Sequence, residues 1–223
     1  MLVGDDPASE VYVRNKLKTA EESGMRVSLT RLGSDTPLAE VLATVERLNA
    51  DATVDGILVQ SPLPAALGND AEQQVFDAIS PDKDVDGFSP ISAGYLAQNR
   101  PGFVPCTPAG CMLMIEDHLG ADLSGLNAVV IGRSNIVGKP MAALLLAQHC
   151  TVTICHSRTR DLAAITRQAE ILIAAAGVPA LIGREHVADG AVVVDVGMHR
   201  LTDRDVVARL YAGNDKKLAV FAK

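Results

Sequence analysis

Four side chains in the first half of this sequence have the types and spacing for proton chemistry around a small organic substrate. Tyr12 and Lys16 lie four residues apart in a stretch of helical composition, so both project from one helix face. Alone, such a pair is also a common packing contact, a ring laid over a lysine stem. Gln60 closes the apolar run 56–60 and is followed by Ser61-Pro62-Leu63-Pro64. That rigid, helix-breaking turn puts a polar amide at the carboxyl end of a buried strand, where open sheets place ligands. Asp86 belongs to the acid-rich segment Pro81-Asp82-Lys83-Asp84-Val85-Asp86-Gly87-Phe88. The acids there lack the spacing of a calcium loop.

The second half carries a different kind of signal. An apolar strand is followed by Gly132-Arg133-Ser134-Asn135-Ile136-Val137-Gly138-Lys139-Pro140, which opens a helix. Gly132 permits a tight turn, Gly138 lets helix and sheet approach closely, and amides at a helix start can hold a pyrophosphate. Ser134 stands where the usual fingerprint has its middle glycine, so the match to a dinucleotide loop is partial, and a bare glycine loop is the competing explanation. After the next strand no acid is available for an adenosine ribose. His156-Ser157-Arg158-Thr159-Arg160 offers cations and hydroxyls instead, favouring NADP over NAD, with Arg133 as a second fork for the extra phosphate. Taken singly, each arginine also fits ordinary solvated surface.

The elements that must position these residues follow from periodicity and punctuation. Residues 8–23 read as a helix capped by Asp6 with Pro7 in its first turn, 25–32 as a strand, 37–48 as an amphipathic helix and 56–60 as a short buried strand, with two further helices after it. A polar, proline-bearing stretch at 98–105 precedes a connecting helix at 108–119. The pattern then restarts: strand 128–131, helix 136–148, strand 151–155, helix 162–168 and strands 171–174 and 191–195. Alternation at these lengths predicts an α/β protein of two lobes, an N-terminal α/β substrate lobe over 1–104 and a C-terminal Rossmann-like dinucleotide-binding lobe over 105–223.

Composition removes several classes. A net charge of −7 disfavours nucleic acid as a partner, and 3% aromatics with no Trp leave little for base stacking. The longest apolar runs, 141–147 and 171–176, are too short to span a membrane. Cys106, Cys111, Cys150 and Cys155 form two pairs spaced five apart, wider than a zinc knuckle, so no metal is expected. So few cysteines in a chain of 223 residues argue against a disulfide framework and for a reducing, cytoplasmic location. No signal segment opens the chain.

Taken together, Tyr12-Val13-x-x-Lys16, Val59-Gln60-x-Pro62-Leu63-Pro64, Lys83-Asp84-Val85-Asp86-Gly87, Pro105-Cys106-Thr107-Pro108 and Gly132-Arg133-Ser134-x-x-Val137-Gly138-x-Pro140 give a specific resemblance. In order and spacing the chain resembles the bifunctional methylenetetrahydrofolate dehydrogenase/methenyltetrahydrofolate cyclohydrolase family over nearly its whole length. The resemblance implies NADP-dependent oxidation of 5,10-methylenetetrahydrofolate to the 5,10-methenyl form and its hydrolysis to 10-formyltetrahydrofolate, in the one-carbon metabolism that feeds purine biosynthesis. It implies that Lys16 is the catalytic lysine, Gln60 tunes it, Tyr12 stacks on the aminobenzoate and Asp86 holds the pterin through paired hydrogen bonds. Gly132, Arg133, Ser134 and Ser157 would bind NADP, with Met198 touching it through its backbone. Those roles agree with elementary chemistry. A lysine that handles protons near neutral pH needs burial or neighbours that favour the free amine, and an amide partner does this without adding the charge a carboxylate would bring.

The resemblance also implies tetrahydrofolate derivatives as partners and a homodimer through the second lobe. Against the family's pattern, an initial helix and strand and a glycine-rich closing segment are missing, so the chain is expected to be truncated at both ends. The alternative expectation is a catalytically silent fragment that binds folate or NADP without turnover.

Overall fold

The protein is described here from a computed structural model covering residues 1–197 and 203–212. The chain divides into two compact units, Met1–Cys106 and Thr107–Lys223.

In the first unit, β1 (Leu2–Val3) pairs in parallel with β2 (Arg31–Leu32), Leu2 opposite Arg31. Between them runs α1 (Pro7–Glu22). Asp6 accepts from the Ser9 amide at 2.7 Å, and Pro7, which has no N–H to leave unpaired, occupies the first turn. The helix stops at Ser23, followed by Gly24 at φ +75°. α2 (Leu38–Ala50) buries Val41, Thr44 and Val45, one stripe at helical spacing. Its last carbonyls are held by Lys83, whose Nζ donates to Leu48, Asn49 and Asp51 at 3.0, 2.7 and 2.7 Å. The Lys83 of the acid-rich segment is therefore a helix-end clasp. α3 (Ala71–Ala78) buries Val75 and Phe76, and the Phe76 ring meets Phe88 at 5.1 Å. α4 (Pro90–Ala97) is capped by Ser89.

Two strand expectations shrink. Of 25–32 only Arg31–Leu32 forms a ladder, and Met25 and Val27 are more than half exposed. Over 56–60 pairing is reduced to an isolated parallel bridge, Ile57 with Asp84, and two bonds with Met1, its amino group donating to the Leu58 carbonyl at 2.6 Å and its carbonyl accepting from the Gln60 amide at 3.0 Å. Ile57 and Val59 are nevertheless buried. Apolar, β-branched composition marks a segment that fits a sheet, but the ladder extends only as far as a partner strand does, and β1 supplies two residues.

The second unit opens with α5 (Cys106–Leu119), which straddles the division between the two. Its sheet comprises β3 (Asn127–Ile131), β4 (Thr151–Cys155), β5 (Ile171–Ala174) and β6 (Val192–Asp195), all parallel, in the order β4-β3-β5-β6. Successive residues point to opposite faces. Val130, Ile171 and Ile173 pack with Ile115 of α5 and with Met141 and Leu145 of α6 (Gly138–Ala147). Val129, Ile131 and Leu172 face the other way, toward Leu162 and Ile165 of α7 (Leu162–Thr166). β3 and β5 are covered on both faces, which is why they read as apolar runs, whereas the outer strands β4 and β6 keep exposed residues such as Ile154 and Val193. The chain leaves β3 for β4 on one side and returns to β5 on the other. The loops after β3 and β5 thus lie at the topological switch point where open sheets bind ligands. α8 (Arg204–Leu210) is capped by Asp203.

Candidate active site

In the first unit, Lys16 sits on the exposed side of α1 and its Nζ donates to Gln60 Oε1 at 3.2 Å, joining positions 44 residues apart. Gln60 is only 8% exposed, and its Nε2 donates to the Ser61 carbonyl at 2.6 Å. That second bond fixes which end of the amide faces the lysine: the oxygen, an uncharged acceptor. The turn after Gln60, with a cis Ser61-Pro62 bond, is braced by Glu72 from the first turn of α3. Ser61 Oγ and the Leu63 amide both donate to Glu72 Oε2, at 2.8 and 3.1 Å. Pro64 lies against Gly4, where φ is +83° and an added Cβ would come within 2.9 Å of the Pro64 ring.

Asp86 is half-buried, and burial pushes its carboxyl above the usual aspartate range. The charge on Lys16 pulls it back down and that on Asp84 adds to the rise. The amine, the amide and the carboxyl are thus linked, the first two by a hydrogen bond and the amine and carboxyl through their charges. Asp84 has another task. It is 1% exposed and accepts from the Phe88 amide (3.2 Å), the Ser89 amide (2.8 Å) and Ser92 Oγ (2.7 Å), which folds the segment that carries Asp86. Gly87 completes the turn at φ +68°, where an added Cβ would sit 2.7 Å from the Phe103 carbonyl.

Tyr12 lies one turn before Lys16 on α1, with its side chain largely exposed. Two residues not singled out from the sequence bear on this site, Ser9 on the same face of α1 and Glu72 on α3 behind the turn that follows Gln60. Ser9 is seven residues before Lys16, two turns of helix, and its buried hydroxyl has no hydrogen-bond partner among the described residues. A buried hydroxyl without a partner is costly, and a bound ligand is one way to satisfy it. The i, i+7 spacing was visible beforehand. Glu72 had no comparable signal, because its partners lie across a turn whose path the sequence does not state.

In the second unit, Gly132 follows β3 with φ +133°, and an added Cβ would overlap the carbonyl of Ala175, just past β5. At Gly138 an added Cβ would overlap the Gly132 carbonyl. Both glycines are therefore required by close backbone approach at the switch point. Ser134 supplies a local cap. Its Oγ accepts from the amides of Val137 (3.1 Å) and Gly138 (3.3 Å), and its carbonyl accepts from Lys139 (3.0 Å). Pro140 has no amide to give. The first donors of α6 are thus satisfied within the loop, so any phosphate there meets the Ser134 hydroxyl together with the helix end. Arg133 and Ser157 are exposed, as are Arg158 and Arg160. The turn carrying Ser157 is set by the His156 amide donating to Thr159 Oγ1 at 2.8 Å and the Arg158 amide donating to His156 Nδ1 at 3.2 Å. Met198 lies outside the described residues. Among the described residues, no group of three His, Cys, Asp or Glu side chains converges to hold a metal, the four cysteines are free thiols, and no helix is long and apolar enough to cross a membrane.

Two family models match in series: the catalytic domain of tetrahydrofolate dehydrogenase/cyclohydrolase over residues 1–86, and its NAD(P)-binding domain over 105–218. The bifunctional protein FolD 3 of Rhizorhabdus wittichii is 57% identical over 201 residues, covering 90% of this chain and 65% of that protein. The crystal structure of the bifunctional FolD methylenetetrahydrofolate dehydrogenase/cyclohydrolase from Campylobacter jejuni superposes with a TM-score of 0.84 at 46% identity, over 90% of this chain and 70% of that one. The Trypanosoma brucei N5,N10-methylenetetrahydrofolate dehydrogenase-cyclohydrolase, solved with NADP cofactor and inhibitor, gives 0.82 at 34% identity, over 91% and 68%. The chain spans about two thirds of the length of the curated relatives it matches. With both domain models matched in order on a two-unit α/β fold, the chain belongs to the tetrahydrofolate dehydrogenase/cyclohydrolase family.

Proposed function

We propose that this chain oxidises 5,10-methylenetetrahydrofolate to 5,10-methenyltetrahydrofolate with NADP and hydrolyses that product to 10-formyltetrahydrofolate. The observation that carries this reading is the bond between Lys16 and the buried Gln60, in the same unit as the half-buried Asp86, whose carboxyl the charge of Lys16 draws downward. Lys16 is the residue assigned to proton transfer in the hydrolysis, taking one proton at Nζ as a bound water attacks and passing it to the nitrogen whose C–N bond breaks, while the remaining hydroxyl proton is released to solvent as the formyl carbonyl forms. Gln60 holds Nζ in place through an oxygen that carries no charge, so it orients the lysine without forming an ion pair with it. Asp86, whose carboxyl faces a partly desolvated setting, is assigned to the donor edge of the pterin, where two N–H groups match its two oxygens. Tyr12 presents an exposed ring one turn from Lys16, suited to stacking on the aminobenzoate.

For the dinucleotide, the glycine-lined approach at Gly132 and Gly138 fits a pyrophosphate-binding loop, and Ser134 adds a hydroxyl donor. Arg133 and Ser157 are assigned to the 2′-phosphate, on the strength of exposed cations and hydroxyls where an NAD site would carry an acid. Met198 is assigned a backbone contact by the family pattern alone. When bound, the cofactor supplies the hydride acceptor, and the chain's share is alignment. The partner assigned is a second copy of this chain through the second unit. β4 is the outer strand of its sheet, and its Val152 and Ile154 line a largely apolar depression with Lys139, Ala142, Ala143 and the exposed Leu146 of α6. Four free cysteines are consistent with a reducing cytoplasm.

The direct test supplies purified protein with methylenetetrahydrofolate and either NADP or NAD, following reduced cofactor and methenyl-folate by absorbance. Turnover with a preference for NADP is expected. Binding by calorimetry without any turnover would overturn the assignment.

A further inference from the structure

Glu72 is used by none of the steps above, yet it is three hydrogen bonds from the proposed base. Its Oε2 receives both the Ser61 hydroxyl and the Leu63 amide, spanning the turn on either side of Pro62. The Ser61 carbonyl in that turn receives Gln60 Nε2, and Gln60 Oε1 receives Lys16 Nζ. A side-chain amide rotated by half a turn would present its N–H group to the amine in place of its oxygen. Two bonds select between these orientations: Lys16 Nζ, which donates, needs the oxygen, and the Ser61 carbonyl needs the N–H end. We infer that Glu72 is a positioning residue for the Lys16–Gln60 pair, acting by fixing the Ser61–Leu63 turn so that the Gln60 amide keeps its oxygen toward the lysine. For its catalytic consequence this rests on the proposed role of Lys16. The orientation claim itself does not.

A bland role competes. An acid in the first turn of α3 also stabilises that helix through its charge. The two roles separate because both bonds go to a single oxygen, which glutamine can reproduce without the charge. In 15N-labelled protein, the Gln60 side-chain amide pair is assigned by its loss in Gln60→Ala and followed in Glu72→Gln, Glu72→Leu and Ser61→Ala. Positioning predicts an unchanged amide pair in Glu72→Gln. In Glu72→Leu it predicts a shift toward free-amide values with faster hydrogen exchange, and in Ser61→Ala, which loses one of the two bonds, a smaller shift in the same direction. Should Glu72→Leu fail to fold, the Ser61→Ala and Glu72→Gln spectra decide between the roles. An unmoved Gln60 amide in Ser61→Ala or Glu72→Leu overturns the inference, as does an equal disturbance in Glu72→Gln.

Methenyl-folate hydrolysis gives the second readout. Glu72→Leu should lower kcat about tenfold, the loss of one oriented hydrogen bond, with KM little changed. In a Gln60→Ala background it should have no further effect, whereas a purely structural role predicts the same decrement in both. If Lys16→Met and Gln60→Ala hydrolyse methenyl-folate as the unsubstituted chain does, the roles assigned to Lys16 and Gln60 fail, while the amide spectra still decide the positioning claim.

Discussion

In the proposed reading, Lys16, Gln60 and Asp86 divide one task among an amine, a neutral amide and a partly desolvated carboxyl. Substituting Lys16→Met preserves the stem and removes the amine, so hydrolysis of methenyl-folate should fall by about 10²-fold or more, read from the decay of its absorbance. Asp86 makes a prediction about stability. Burial raises its carboxyl above the ordinary aspartate value, so the folded chain holds that proton more tightly than the unfolded chain does. Its contribution is therefore most favourable below the ordinary value of 3.8 and is lost as pH rises through the raised one. Asp86→Asn cannot ionise and escapes that loss. Its thermal midpoint should exceed that of the unsubstituted chain at pH 7, with the difference closing below pH 3.8, while folate turnover collapses. A higher midpoint at low pH alone would refute the sign. That a functional carboxyl lowers stability where it works is a common trade at active sites.

Elements are held at their ends by residues that the motif pattern does not label as structural. Lys83 gathers three carbonyls from the end of α2. Lys83→Met should cost about 2 kcal/mol in chemical denaturation, because charged donors to otherwise unpaired carboxyl-end groups are lost together. Gly132→Ala asks more of the second unit. It places a side chain at φ +133° and drives it into the Ala175 carbonyl, so a loss of at least about 2 kcal/mol and a large fall in NADP affinity are expected, measured by denaturation and calorimetry. The spacing of Lys83-Asp84-Val85-Asp86-Gly87 was legible in the sequence, but not its division of labour. Two of its members, Lys83 and Asp84, bind backbone groups, and only a folded path shows which backbone groups come within reach.

Over the whole molecule, two α/β units are read from one rhythm of strands and helices, and the second is the more legible. Its four strands appear within a residue of their expected bounds, the central β3 and β5 because burial on both faces leaves a continuous apolar run, and β4 and β6 because their composition is rich in β-branched residues. The exposed edge at β4 carries the remaining prediction: Leu146→Glu should shift the chain from dimer to monomer in light scattering after size exclusion, and a monomeric unsubstituted chain would refute the assigned partner. By itself the sequence determined the alternation of elements, the glycine loop, the helix face bearing Tyr12 and Lys16, and the family, since all of these are written in local spacing and residue type. Tertiary structure alone decided that the ladder at 25–32 extends over two residues, that Gln60 turns its oxygen to Lys16, and that Glu72 braces the turn behind it. Strand length and hydrogen-bond direction depend on partners that are far away in the chain, and their distance in space is fixed only when the chain has folded.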